Sequence, residues 1–171
     1  MNHVSTRPAR LTDLPRLFYW RNHPDQIQLS SSKQTVSFTD HARWFLSSLS
    51  RNYNHIYIIR LHTGSLVTPI GQIRFTKALD HAQIYIISIY LISPFSGQGF
   101  GQPAYTHALR NFLNYLFRKG NTDSITLNAV VRSENTRSLR FFAKLGFTRM
   151  TQPQSNDFTH LSTTLACSPD E

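Results

Sequence analysis

The stretch from Gln83 to Gly120 constrains the fold of this chain most. Gln83 to Ile92 is a near-continuous apolar run, the pattern of a central strand covered on both faces. Three of the chain's seven glycines follow at once, in Ser96-Gly97-Gln98-Gly99-Phe100-Gly101. Beyond them Tyr105, Ala108, Leu109, Phe112, Leu113, Leu116 and Phe117 recur at spacings of three and four, which predicts an amphipathic helix. Pro103 suits its first turn and Gly120 its C-terminal cap. A glycine-rich turn between strand and helix lets backbone N–H groups converge on an anion, and the helix dipole adds to their field. The run lacks the Gly-Lys-Ser/Thr of a Walker loop. It is also Gly-x-Gly-x-Gly, not the dinucleotide fingerprint Gly-x-Gly-x-x-Gly. Taken alone, the run can equally be a plain turn.

The rest of the chain supplies the sheet. Val4 to Arg7 reads as a short first strand. Thr12-Asp13 caps a helix carrying Leu14, Leu17, Phe18 and Arg21, which His23-Pro24 ends. Residues 25–36 read as loop or weak helix. Ser37-Phe38-Thr39-Asp40 opens a second helix with Ala42, Phe45, Leu46 and Leu49 expected on its buried face. Strands follow at Ile56 to Leu61 and Pro69 to Thr76, with turns at Gly64 and Asp80-His81. Ser124 to Val131 is a further strand, Ser138 to Leu145 a short helix, and Thr148 to Thr151 with Phe158 to Leu165 a final hairpin. This order predicts an α/β fold with a mixed, mostly antiparallel sheet and one parallel crossover.

Composition narrows the class. At 171 residues, with 40% hydrophobic and 12% aromatic residues, the chain suits one domain, residues 1–171, with a real core. A single cysteine, Cys167, excludes an internal disulfide and multi-cysteine zinc sites, so no metal is expected. No apolar stretch reaches the ~20 residues of a membrane span. The start lacks the apolar run of a secretory signal, and the expectation is a soluble, cytoplasmic protein. Lys and Arg number 18 against 9 acids, a net charge of +9. These cations are scattered, without the block or motif of a nucleic-acid binder. A small polyanionic ligand is the remaining partner class.

A second motif resolves the first. Asn135-Thr136-Arg137-Ser138 leads into Phe141-Phe142-Ala143-Lys144-Leu145-Gly146-Phe147. With the glycine run, it resembles the GNAT superfamily of acyl-CoA-dependent N-acyltransferases. Ser96, Gly99 and Gly101 fall on its (Gln/Arg)-x-x-Gly-x-(Gly/Ala) loop. Asn135, Ser138, Phe142 and Gly146-Phe147 fall on its second motif. The resemblance implies a sheet with a central parallel pair splayed around acetyl-CoA, and helices on both faces. It implies that Gly97, Gln98, Gly99, Phe100, Gly101 and Gln102 hold the pyrophosphate. Leu91 and Ile92 would pair with the pantetheine arm and offer an N–H to the reacting carbonyl. Asn135, Ser138 and Phe142 would meet the cofactor, and Arg137, Arg140 and Lys144 the adenosine phosphates.

The chain departs from that pattern at three points. Ser96 replaces the leading Gln/Arg, Phe142 the proton-donating tyrosine, and the central strand carries Ser88 and Tyr90 but no carboxylate. Candidate catalytic groups are therefore Tyr90, His81 and His41, with Asp80 and Glu134 as further bases.

Trp20-Arg21-Asn22-His23 and Asp40-His41-Ala42-Arg43-Trp44-Phe45 are similar to GNAT enzymes that acetylate nucleotide-linked aminosugars in pseudaminic- and legionaminic-type pathways. Ser88-Ile89-Tyr90-Leu91 resembles the same group. Trp20 and Trp44 would stack on the acceptor, Arg21 and Arg43 would pair with its diphosphate, and Ser88 would line its site. Both tryptophans can also be core residues of a helix pair. The implied activity is acetyl transfer from acetyl-CoA to a small-molecule amine by direct attack. A protein N-terminal or ribosomal-protein acetyltransferase and a non-catalytic acyl-CoA-binding module are the alternatives, and a homodimer is compatible with each.

Overall fold

In the computed structural model the apolar run becomes β4 (Ile84–Leu91), the fourth strand of a seven-stranded sheet. The structure describes residues 2–30, 32–50, 53–79, 81, 83–121, 123–151 and 157–167. Before β4 come β1 (His3–Pro8), α1 (Leu14–Arg21), α2 (Pro24–Leu29), α3 (Phe38–Ser50), β2 (Asn54–Thr63) and β3 (Leu66–Lys77). After it come α4 (Gly101–Arg118), β5 (Ile125–Arg132), α5 (Thr136–Lys144), β6 (Thr148–Arg149) and β7 (Phe158–Leu165). The sheet order is β1-β2-β3-β4-β5-β7-β6. Every neighbouring pair is antiparallel except β4 and β5, as the strand–helix–strand order requires.

The parallel pair is short. It runs only through Ile84↔Thr126, Tyr85↔Leu127 and Ile86↔Asn128, and then the strands part. β4 stays bonded to β3 as far as Gly71↔Leu91, and β5 to β7 along its whole length. The open wedge is therefore held rigid from both sides.

Period-two alternation gives the sheet two different faces. Tyr85 and Ile87 of β4 join Ile73, Phe75, Leu127 and Ala129 beneath α4 and α5 in the larger core. Phe75 and Phe112 stack there at 4.3 Å. Tyr90 joins Ile56 and Ile58 beneath α1 and α3, against Leu17, Trp20 and Phe45.

The second helix face differs from expectation. His41, Phe45 and Ser48 are the buried residues of α3, whereas Leu46 and Leu49 are 50% and 38% exposed. Polar partners explain the rotation. Ser48 Oγ donates to the Trp44 carbonyl at 2.8 Å and accepts from Asn54 Nδ2 at 2.8 Å. Pro24 does end α1 but also opens α2, a position where its missing N–H costs nothing. The final hairpin is shorter than expected, because β6 holds only Thr148–Arg149.

Candidate acyl-CoA site

Two sides of the wedge carry two kinds of site. On the α4–α5 face lies a cavity of about 540 Å³. Ile89 and Leu91 form its floor, the glycine loop one wall, and the start of α5 the other. Gly97 and Gly99 take φ of +84° and +86°, a left-handed backbone that side-chain-bearing residues adopt at a cost. Neither would meet another atom if it gained a Cβ. Backbone conformation therefore requires these glycines. Gly101 is different, because a Cβ there would lie 2.9 Å from Phe141 Cε2.

The loop delivers the N-terminus of α4 to the cavity. No side chain caps that end and no acid stands in its first turn, so its free N–H groups and positive dipole are uncompensated. Arg137, Arg140 and Lys144 line the opposite wall, and the lining contains no acidic residue. Arg137 donates to Ser96 Oγ at 2.9 Å, tying the two walls together. Free amides, three cations and a two-sided cleft fit the pyrophosphate and phosphates of a coenzyme A molecule.

β4 supplies the inner end. Ladder bonds join even-numbered β4 residues to β3, as the Ala78 N–H to Ile84 carbonyl bond of 2.8 Å shows. The alternation turns the amides of Ile89 and Leu91 toward the wedge, where β5 no longer pairs with them.

Ser96, Gly97, Gly99, Gly101, Gln102, Ser138 and Leu91 all line the cavity. Ile92 does not. Its N–H donates to the Ile70 carbonyl at 2.9 Å and its side chain packs on the opposite face. Ile89 holds the lining position instead. Gln98 folds back onto the Pro94 carbonyl at 2.5 Å, and Phe100 packs toward Phe95. Asn135 caps α5, its Oδ1 accepting from the Ser138 N–H at 3.1 Å. Phe142 is 3% exposed and lies in the core against Phe147. Phe141 lines the cavity in its place, and nothing in the motif separates two adjacent phenylalanines.

The other face of the wedge gathers polar groups. Arg74 of β3 stands opposite Ser88 of β4, and Gln72 opposite Tyr90. The Arg74 guanidinium lies 5.3 Å from the centre of the Trp44 ring. His41 packs on the same tryptophan, ring centres 5.3 Å apart. Trp20 is buried against the edge of Tyr90, so it is a core residue. Arg43 is not in this group, because it points outward and pairs with Asp40 at 3.1 Å. Arg74, to which sequence reading gave no role, stands where Arg43 was expected. Its signal was available, since Ile73 and Phe75 face the main core and turn Arg74 the other way.

Arg132 at the end of β5 donates twice to the Ser30 carbonyl, at 2.9 and 3.2 Å. This contact holds the end of α2 beside the parted strands. Burial and the Arg21 and Arg74 charges push the His41 imidazole below its ordinary range. Burial, with the Asp25 and Tyr19 charges, pushes the Tyr90 phenol up, so it stays protonated. His81 is exposed in the β3–β4 turn, and the full length of β4, roughly 25 Å at ~3.3 Å per residue, separates it from Leu91. It is therefore placed away from the site. Glu134 is exposed beyond β5, and Asp80 lies outside the described residues. Among the described residues no group of three His, Cys, Asp or Glu can hold a metal. No helix there is long and apolar enough to cross a membrane.

A splayed parallel pair, a glycine loop at a helix start and a cationic cleft define an acyl-CoA-binding fold. The family model of the acetyltransferase (GNAT) domain matches residues 4–148, and the chain belongs to that family. It is an acetyl-CoA-dependent N-acetyltransferase. No curated protein matches its sequence. A domain from Methanocaldococcus jannaschii superposes with a TM-score of 0.77 at 20% identity, covering 96% of this chain and 100% of that one. Spermidine N-acetyltransferase from Vibrio cholerae, with CoA and spermine, gives 0.69 at 15% identity, covering 94% and 95%. AAC(6')-Ib with paromomycin and acetyl-CoA gives 0.69 at 20% identity, covering 94% and 93%.

Proposed function

We propose that the protein acetylates the primary amine of a nucleotide-linked aminosugar by direct transfer from acetyl-CoA. The observation that carries this reading is the pairing of an acid-free cofactor cleft with a second, cationic face across the same open strand. Acetyl-CoA supplies the acetyl group as a thioester. The loop amides from Gly97 to Gln102 and the cations of α5 hold its phosphates. The Leu91 N–H, turned into the wedge, donates to the acyl carbonyl oxygen as negative charge develops there. Ser88 and Trp44 border the acceptor. Tyr90 keeps its proton and serves as a donor near the acyl group.

The amine must lose a proton before attack. No carboxylate lines the cavity, and burial with the Arg21 and Arg74 charges disfavours a protonated His41, so deprotonation runs through water. The leaving thiolate needs no acid, since a thiol pKa near ~8.5 makes it a good leaving group.

Calorimetry with acetyl-CoA, followed by thiol release with an aminosugar nucleotide, spermidine and a peptide amine, tests the reading. The expected result is cofactor binding and fastest release with the aminosugar nucleotide. Cofactor binding without release on any amine points to a binding module. Faster release on a peptide amine points to a protein acetyltransferase.

A further inference from the structure

Among the described residues seven buried polar atoms have no hydrogen-bond partner: Arg21 Nη1, His23 Nδ1, His41 Nε2, Arg60 Nε, Arg74 Nε, Tyr90 Oη and Asn128 Oδ1. Arg60 is on β2, two strands from β4, and the other six lie on or next to elements bordering the α1–α3 side of the wedge. His41 and Tyr90 are only 6% and 8% exposed. Buried polar atoms are nearly always satisfied, so such a concentration marks where a ligand completes the bonding. His23 also lies 3.6 Å from the Asp25 carboxylate.

The sign of that ligand follows from the charges. Arg21 and Arg74 bear on each other, and both bear on His41. A guanidinium stays charged when buried. Desolvating Arg74 beside the half-buried Arg21, whose Nη2 donates to Ser32 Oγ at 3.2 Å, is costly unless an anion is shared between them. Neither nearby carboxylate pairs with Arg21 or Arg74, although the Asp25 charge reaches Tyr90. Asp40 accepts from Arg43 and Ser37, and Asp25 is exposed beside His23. Trp44 beneath Arg74 fixes the plane of its fork, the geometry that suits two-pronged phosphate recognition.

We infer that Arg21, Arg74 and His41 form a phosphate subsite, so that the acetylated amine belongs to a molecule bearing a phosphate or diphosphate. The inference rests on the acyl-transfer reading and adds the residues that read the acceptor. Arg74 lies opposite Ser88, three residues before Leu91. At ~3.3 Å per residue that is roughly 10 Å, a separation that one diphosphate-bearing acceptor can bridge from its amine to its phosphates. A polyamine would bring positive charge against the buried Arg74 guanidinium and the half-buried Arg21.

The test uses calorimetry on protein saturated with CoA, so that the glycine loop is already filled. UDP and inorganic pyrophosphate are titrated, with spermidine as the opposite charge. The expected result is binding of both anions and none of spermidine. Arg74→Gln and Arg21→Gln should each weaken UDP at least about tenfold, with CoA affinity and the circular dichroism spectrum unchanged. Arg74→Lys should recover part of the loss. Equal UDP affinity in wild type and both Gln variants overturns the subsite, as does faster thiol release with spermidine than with an amine-bearing phosphosugar. Loss of UDP binding in the variants with no thiol release on any amine leaves the subsite standing and removes the acyl-transfer reading. Release that Arg74→Gln leaves unchanged does the reverse.

Discussion

Two clusters of arginine sit on the same side of this sheet and are built in opposite ways. At the entry to α1, Asp13 is 1% exposed. It accepts from Arg7 at 2.7 and 2.8 Å, from Arg16 at 3.1 Å and from the Arg10 N–H at 2.8 Å. Arg21 at the far end of α1 and Arg74 on β3 bear on each other and on His41, and neither arginine pairs with a carboxylate among the described residues. The first cluster is complete and fastens β1 to α1. The second is complete only with something the chain does not supply. In a protein of so few acids, where a carboxylate has been placed tells structural arginines from ligand-binding ones.

Removing the carboxylate breaks the first cluster. Asp13→Ala leaves Arg7 without its partner and frees the Arg10 amide. The expected loss is roughly 2–4 kcal/mol, below the top of the range for buried pairs because Arg16 is partly exposed. Urea denaturation measures it. The pairing with Arg7 overcomes the burial that opposes it and holds the Asp13 carboxyl below its ordinary range. Its stabilisation is therefore full above the unfolded carboxyl pKa and is lost as pH falls through the folded one. A variant within 0.5 kcal/mol of wild type, on the scale of ordinary surface substitutions at about that size, would mean the cluster is ornamental.

Arg74→Met has the opposite expected sign. It removes a buried charge that has no counter-ion, so stability should stay level or rise by about 1 kcal/mol while UDP binding falls away. A loss as large as that of Asp13→Ala would show that Arg74 already has an internal partner, and the contrast between the clusters would collapse.

His41 gives a smaller effect with a definite direction. Its folded pKa is depressed, so the unfolded state binds more protons between the two values. Stability should be full above the unfolded value near ~6.5 and decline as pH falls toward the folded one. His41→Gln should flatten the slope of melting temperature between pH 7 and 5. His107, also pushed down by burial and by Arg110 and Arg60, and His62, pushed down as well, remain in both proteins and contribute to the residual slope. Added UDP should flatten the wild-type slope too, because an anion beside His41 favours its protonated form. An unchanged slope in the variant would locate the effect at the other depressed histidines, His107 and His62.

The same contrast explains what could be read from the sequence. The strand, loop and α4 were legible because apolar period and glycine spacing report backbone geometry directly. The buried face of α3 was not, because its inward residues include His41 and Ser48 and its exposed ones include Leu46 and Leu49. Counting apolar residues rotates a helix wrongly wherever its inner face is lined with polar groups, which is where a site lies. Arg43 and Arg74 show the same error from the other side. Arg43 stands inside a motif but finds Asp40 one turn away. Arg74 stands in no motif, yet strand alternation turns it inward. His81 was misplaced because a turn residue next to the right strand can sit at its wrong end. A parallel pair that opens after three residue pairs leaves no mark in composition, since Ile87 and Ala129 pack just as buried strand residues do.

The hydroxyl of Tyr90 should give the smallest effect and the sharpest test of the two-cluster contrast. It is buried without a partner, so Tyr90→Phe removes a desolvated polar atom and keeps the ring against Trp20. Stability should change by less than about 1 kcal/mol, toward a gain. If the hydroxyl donates to the acceptor or near the acyl group, kcat/KM for the aminosugar nucleotide falls while the KM for acetyl-CoA holds. A loss of stability instead would mean that the hydroxyl is bonded in the free protein. The polar face of the wedge would then be as self-contained as the Asp13 cluster, with no need of a ligand to complete it.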